Sequence, residues 1–459
     1  MRNRIIFILI IIISLVFSAE TKSRIIGPGS NYYNYIDEKI PISMHILEFD
    51  LNNPHVEFIS EKAQSKLIGR EKTSVMAQQL ELNGEIVIAA INADFFHKDG
   101  KPVGIQVADG EILKNPYIRS VFGLVEDNKP FIEMLKFQGK LFAGNNGCEI
   151  DGINSHRGEN ELILFNNYVG VSSNTNNWGY EISLQYLSEP VVNDTSYLVV
   201  IAKNESQGNK EIPGYGVILS GHGKKGLFLK NNIEVGDTIK TLLQLPPTKE
   251  KIVEAVSGAP KIVEKGRVKI DVKKEKLPFT FSTTKHPRTA IGYNRDKTRL
   301  LMFVIDGRQP EYSVGMSLRE LAKFMIEWGV YEGLNLDGGG SSTMYVRGEI
   351  ANKPSDSNGE RPVSNALIVL CKDKSEEVKY LSMSPKRLRI QEGSNYSFDV
   401  NLFDEFFNPL NDKELNYFCE PNVGYFNGEG IFISGNKNNR GYVFVQSGGT
   451  KDSCWVIIE

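Results

Sequence analysis

Asn335-Leu336-Asp337-Gly338-Gly339-Gly340-Ser341-Ser342-Thr343 is the stretch on which the reading of this 459-residue chain turns. A carboxylate closes a short apolar run, and the backbone after it has no Cβ, so a ligand can come close. Free N–H groups in such a turn, flanked by hydroxyls, make a concavity suited to an anion or to a cluster of sugar hydroxyls. A plain hairpin is the simpler reading, but it needs one or two glycines, not three followed by Ser-Ser-Thr.

Upstream, Leu300 to Ile305 is a continuous apolar run ending in Asp306-Gly307-Arg308, the pattern of a buried strand entering a loop. Ser317 and Glu320 form a capping box, and Leu318, Leu321, Ala322, Met325 and Trp328 recur at helical spacing until Gly329. Strand, helix and strand in that order predict a right-handed parallel crossover. Asp306 and Asp337 then share the carboxyl-terminal edge of one sheet, where open α/β sheets hold ligands. The order recurs earlier: a strand ending at Ile59, a helix capped by Thr73 or Ser74 and running to Leu82, then a strand from Glu85 to Ile91 that enters Asn92-Ala93-Asp94. Residue identities do not support this repeat, but its geometry would bring Asn92 and Asp94 to the same rim.

Residues 1 to 19 carry Arg2 and Arg4, an apolar run from Ile5 to Phe17 and then Ser18-Ala19, which reads as an export signal cleaved near Ala19, or else as an uncleaved anchor. The chain is therefore expected to be secreted or attached to the cell surface. A formal charge of −3 argues against a nucleic-acid partner. Four cysteines allow three pairings; Cys419 and Cys454 fall in one terminal segment that they could bridge, while Cys148 and Cys371 are far apart. The length calls for at least two domains. The expected fold is α+β, a mixed sheet with helices over residues 20–371 that includes a β-rich region at about 135–253. A linker at 372–378 and a small all-β immunoglobulin-like sandwich at 379–459 follow. His156 and His222 lie in loops of the β-rich region, without an evident partner.

Ser257-Gly258-Ala259-Pro260, Arg288-Thr289-Ala290-Ile291-Gly292 and Arg361-Pro362-Val363 complete a set that, with the segments above, resembles the phosphodiester glycosidase family over roughly residues 92–370. One departure is that Ala93-Asp94 follow Asn92 where the family often has glycines. The resemblance implies hydrolysis of the bond between an anomeric carbon and a phosphodiester oxygen, as in N-acetylglucosamine-1-phosphodiesters, on a cell-surface or extracellular polysaccharide. An oxocarbenium-like transition state wants a carboxylate near the anomeric centre, so Asp337 is the leading catalytic residue and Asp306 the second. Arg288, Arg308 and the amides of Gly338, Gly339 and Gly340 are assigned to the phosphate. Asn92, Asp94, Ser257, Thr289, Ser341 and Ser342 complete the substrate-binding set. No cofactor is required, though Asp94, Asp306 and Asp337 could instead converge on calcium. A non-catalytic binder of cell-wall polysaccharide is the rival reading.

Overall fold

The computed structural model describes residues 19–37 and 39–459. The export signal expected at residues 1 to 19 falls outside them except for Ala19, which opens strand Ala19–Gly27.

The run Leu300 to Ile305 lies in strand Arg299–Ile305, and its continuous apolarity has a physical cause: both faces of the strand are covered. Leu300, Met302 and Val304 pack against Ile88, Ile91, Leu367 and Val369 of a second sheet. Leu301, Phe303 and Ile305 pack against Leu318, Leu321, Ala322 and Met325 of helix Leu318–Glu327. The second sheet is covered on its outer face in the same way, where Met76 and Ala77 of helix Thr73–Leu82 meet Val87, Ala90 and Ile368. The centre of the molecule is thus four layers, helix, sheet, sheet, helix, and alternation of period two is hidden in Arg299–Ile305, Ile86–Asn92 and Asn365–Cys371 because nearly all of their positions are buried.

Strands outweigh helices, with 47% strand, 10% helix and four helices among the described residues. This corrects the α+β expectation with its mixed sheet. Every neighbouring pair in the eight-stranded sheet that holds Arg299–Ile305 is antiparallel. The crossover itself exists, because Arg299–Ile305 and Glu332–Asn335 run parallel. They never pair, because Arg288–Tyr293 lies between them, antiparallel to both. The earlier strand-helix-strand unit is built identically, with Asn365–Cys371 inserted between Val56–Lys62 and Ile86–Asn92. The architectural repeat is therefore present twice, in two sheets whose inner faces meet.

The caps differ between the repeats. Ser317 and Glu320 form the expected capping box. Helix Thr73–Leu82 has no side-chain cap on its first residue; instead Glu360, distant in sequence, accepts from the backbone N–H and hydroxyl of Ser74. A carboxylate there also faces the positive end of the helix dipole.

Residues 138–244 form an eight-stranded sheet that shares a core with strands Gln106–Ala108, Glu111–Lys114 and Ser120–Val125. Residues 372–379 carry no helix or strand, and beyond them three small sheets enclose Met383, Phe432, Val443, Val456 and Ile458. All four cysteines are free thiols. Cys419 and Cys454 both lie opposite Val443, so a whole strand separates them, about 10 Å at ordinary strand spacing and too far for a disulfide. No described helix is long and apolar enough to cross a membrane.

Candidate active site

The two repeats end in the same three-residue pattern, Asn92-Ala93-Asp94 and Asn335-Leu336-Asp337, and the strand ends are tied together. The amide of Asp337 donates to the carbonyl of Ala93 at 2.9 Å, and Asn92 Nδ2 donates to the carbonyl of Asp337 at 2.7 Å. Asn92 Oδ1 accepts from the hydroxyl of Thr289 at 2.8 Å and the amide of Thr343 at 3.1 Å. Asn92 and Thr289 therefore spend their hydrogen bonds inside the protein, holding the turn from Gly338 to Thr343 against both sheets.

Asp337 is half-buried, and its carboxylate accepts the amide of Gly338 at 3.0 Å. Burial pushes its pKa up to about 6 against the opposing pull of Ser341, that amide and Arg361. The Ser341 hydroxyl is close enough to exert this pull, yet no hydrogen bond of good geometry joins the two. Asp94 is fully buried, and its pKa is raised well above the usual carboxylate range by burial, with the charge of Asp337 adding to the rise. The charge of Asp337 is felt at Asp94, and burial raises the pKa of both carboxyl groups.

Cations surround the pair. An added Cβ at Gly339, whose φ is +65°, would lie 3.0 Å from Arg308 Nη2, so the guanidinium rests on that glycine. Arg308 Nη2 is also 3.4 Å from His286 Nδ1. Burial and the charges of Arg288 and Arg308 push the imidazole of His286 down, which leaves it neutral at pH 7 and able to accept. Arg361 grips Asp356 through two parallel bonds of 2.8 and 3.0 Å, and a Cβ at Gly340 would overlap both partners. Lys114, its pKa lowered to about 8 chiefly by burial, lies on the far side near Asp94.

Five buried side-chain oxygens here have no hydrogen-bond partner among the described residues: Asp94 Oδ1, Asn335 Oδ1, Ser341 Oγ, Ser342 Oγ and Thr343 Oγ1. Leaving so many polar atoms unpaired in one place is costly, on the order of 1–3 kcal/mol each, unless a polar ligand or solvent meets them. They identify the site better than cavity size does: cavities of about 450 Å³ at Lys261 and Glu275 and at Arg440 and Glu459 lie elsewhere.

Other expected site residues occupy different places. Asp306 is buried and saturated, accepting from His45, Tyr312 and Asn352 side chains and from the amide of Lys353 at 2.9–3.2 Å. Asn352 passes this anchorage on to the carbonyl of Ser342 and the amide of Met344, so Asp306 braces the turn from behind. Ser257 donates to the carbonyl of Ile105 and packs on Gly104, whose amide holds Asp94 at 3.2 Å. Arg288 is buried, its Nε and Nη2 donating to the carbonyls of Met316, Phe281 and Thr284 at 2.8–3.0 Å. Arg288→Lys is therefore expected to cost about 2 kcal/mol of stability, because one ammonium cannot span three carbonyls; a lowered Tm checks it. The amides of Gly338 and Gly339 are also engaged, with Asp337 and Pro287. Among the described residues no three carboxylate, imidazole or thiol groups gather as metal ligands.

Arg361, His286 and Lys114 belong to the site but escaped the sequence. The segments carrying Arg308 and Arg361 were visible in the sequence; their contact with Gly339 and Gly340 is seen only in three dimensions.

The base form of Asp337 sets a pH dependence. kcat/KM should climb about tenfold per unit at low pH and level off above about 6. The stability sign is opposite. A folded-state pKa above the unfolded value gives a contribution that is present below about 4 and lost as pH rises through about 6. A pH–rate profile with no inflection between 5 and 7 would contradict the assignment.

A four-layer centre thus carries two carboxyl groups whose pKa burial raises, arginines and a glycine turn at the junction of its sheets. Residues 191–370 match the family model described as phosphodiester glycosidase. The matched segment begins after Asn92 and Asp94. The chain is 34% identical over 118 residues to human N-acetylglucosamine-1-phosphodiester alpha-N-acetylglucosaminidase, covering 24% of this chain and 22% of that enzyme. To the bovine enzyme of the same name it is 41% identical over 69 residues, or 15% and 12% of the two chains. The chain thus aligns with less than a quarter of the length of these relatives. Its fold resembles a solved protein of Synechocystis (TM-score 0.57, 17% identity, 75% of this chain and 62% of that one). It also resembles one of Burkholderia pseudomallei (TM-score 0.54, 19% identity, 72% and 74%).

Proposed function

We propose that this chain is an exported phosphodiester glycosidase that cleaves a sugar-1-phosphodiester to free sugar and a phosphomonoester. The observation that carries the proposal is a raised-pKa aspartate, Asp337, with Arg308 against Gly339 and Arg361 against Gly340 in the turn that follows it, in a segment matched by the family. In the proposed reaction the C1–O bond breaks and its electron pair stays on the phosphate oxygen. A phosphate monoester, with a second pKa near 6, leaves without the strong acid that an alcohol needs. Asp337 either attacks C1 or takes the proton of the water that does; in both routes the water oxygen ends on the sugar. Arg308 and Arg361 hold the leaving phosphate, and Ser341 and Ser342 supply hydroxyls to its oxygens or to the sugar. Export is supported by the charged, then apolar, then small-residue pattern of residues 1 to 19. An extracellular or cell-surface glycan fits that address.

The test compares sugar-1-phosphodiesters with neutral glycosides of the same sugar. Arg308→Ala and Arg361→Ala together should raise KM for the phosphodiester about 30-fold or more, with little change for any residual hydrolysis of the neutral compound. Equal losses on both would contradict a phosphate role. Repeating the assay with a chelator decides whether a divalent cation takes part.

A further inference from the structure

Segment 94–104 leaves the active site and comes back to it. Asp94 and Gly104 are joined at its base, the carboxylate accepting the amide of Gly104 at 3.2 Å. Phe96 bridges Pro102, the amide of His97 donates to the carbonyl of Lys101, and Ser364 fixes Gly100 at 2.7 Å. Lys101, just past the turn of this segment, lines with Leu67 and Ile68 one side of a cleft of about 420 Å³ whose other side comes from residues 154–176. Seven residues separate Asp94 from Lys101, so the cleft lies within about 25 Å of the carboxyl pair, a few sugar units away.

The chemistry of the cleft is one-sided. Its lining includes Lys101, His156 and Arg157 together with amides and hydroxyls such as Asn174, Thr175 and Asn176, and no carboxylate. Arg157 is buried and donates to both the carbonyl and the side-chain oxygen of Asn176 at 3.1 and 2.5 Å, which fixes that part of the wall.

We infer that this cleft is a second glycan subsite, taking a further sugar phosphate unit of a polymeric glycosyl phosphodiester whose terminal bond is cut at Asp337. Cations and amides without carboxylates suit a chain that is both anionic and rich in hydroxyls. The inference rests on the proposed function for its choice of substrate, and it adds that the substrate is a polymer, held at more than one unit.

The experiment uses the full chain, a single sugar-1-phosphodiester and a tetramer of the same glycosyl phosphate. His156→Ala with Asn174→Ala alters two exposed side chains. It should raise KM for the tetramer about tenfold and leave the single unit within twofold. An unchanged tetramer KM, or equal changes for both substrates, would overturn the subsite. Calorimetry of the tetramer on Asp337→Asn protein separates the two ideas. If wild-type protein cuts neither substrate, the proposed reaction fails, and the subsite then stands or falls on whether the double variant, made in that background, loses about tenfold in tetramer affinity. Equal affinity for inorganic polyphosphate would show charge attraction without glycan recognition, and would also overturn it.

Discussion

Asp337→Asn is expected to lower turnover on a sugar-1-phosphodiester by a thousandfold or more, roughly the loss seen when a nucleophile or base is removed, and to leave the fold intact or more stable. The first part follows from position: Asp337 is half-buried, near Ser341, in a region where five buried oxygens lack partners among the described residues. Asp306 cannot replace it, since four neighbours already saturate its carboxylate. The second part follows from the pKa. A carboxylate held at about 6 in the folded chain destabilises it above that pH, by at most about 3 kcal/mol, and an amide of the same shape removes the cost. Loss of activity with an unchanged or higher Tm at pH 7.5 is the expected pair of results. Loss of both together would make Asp337 a structural residue.

Gly340→Ala should be nearly as harmful to catalysis, on the order of a hundredfold in kcat/KM. The new methyl group would overlap the facing ends of Asp356 and Arg361. Both are ends of flexible side chains, so the fold can absorb the change, whereas the bidentate pair must part and its guanidinium swing away from Asp337. In an Arg361→Ala background the same substitution should cost little more, because the partner it displaces is already gone. Additive losses would show that Gly340 acts through the backbone turn instead.

Much of this was legible from residues. The capping box at Ser317 and Glu320, the buried strand before Asp306 and the crossover after it are where periodicity and capping chemistry put them. The mixed sheet was not, because a strand from elsewhere in the chain, Arg288–Tyr293, enters between the two ends of the crossover, and local pattern carries no record of such an insertion. The repeat had one signal that identity in general obscured: Asn-x-Asp closes both strands, and the two segments are joined through Asn92, Ala93 and Asp337. Sequence favoured Asp306 because it ends a strand beside a glycine. That position can point a side chain at a ligand or at the wall behind it, and here His45, Tyr312 and Asn352 await it on the inner side. Arg288, expected on the phosphate, is buried, and three backbone carbonyls engage its guanidinium.

The most direct measurement is hydrolysis of a sugar-1-phosphodiester in heavy-oxygen water, followed by mass analysis of both products. With Asp337 at the anomeric carbon and the arginines on the leaving phosphate, the label should enter the free sugar and be missing from the phosphomonoester. Label in the phosphate, which requires P–O cleavage, or no release of sugar at all, would contradict it.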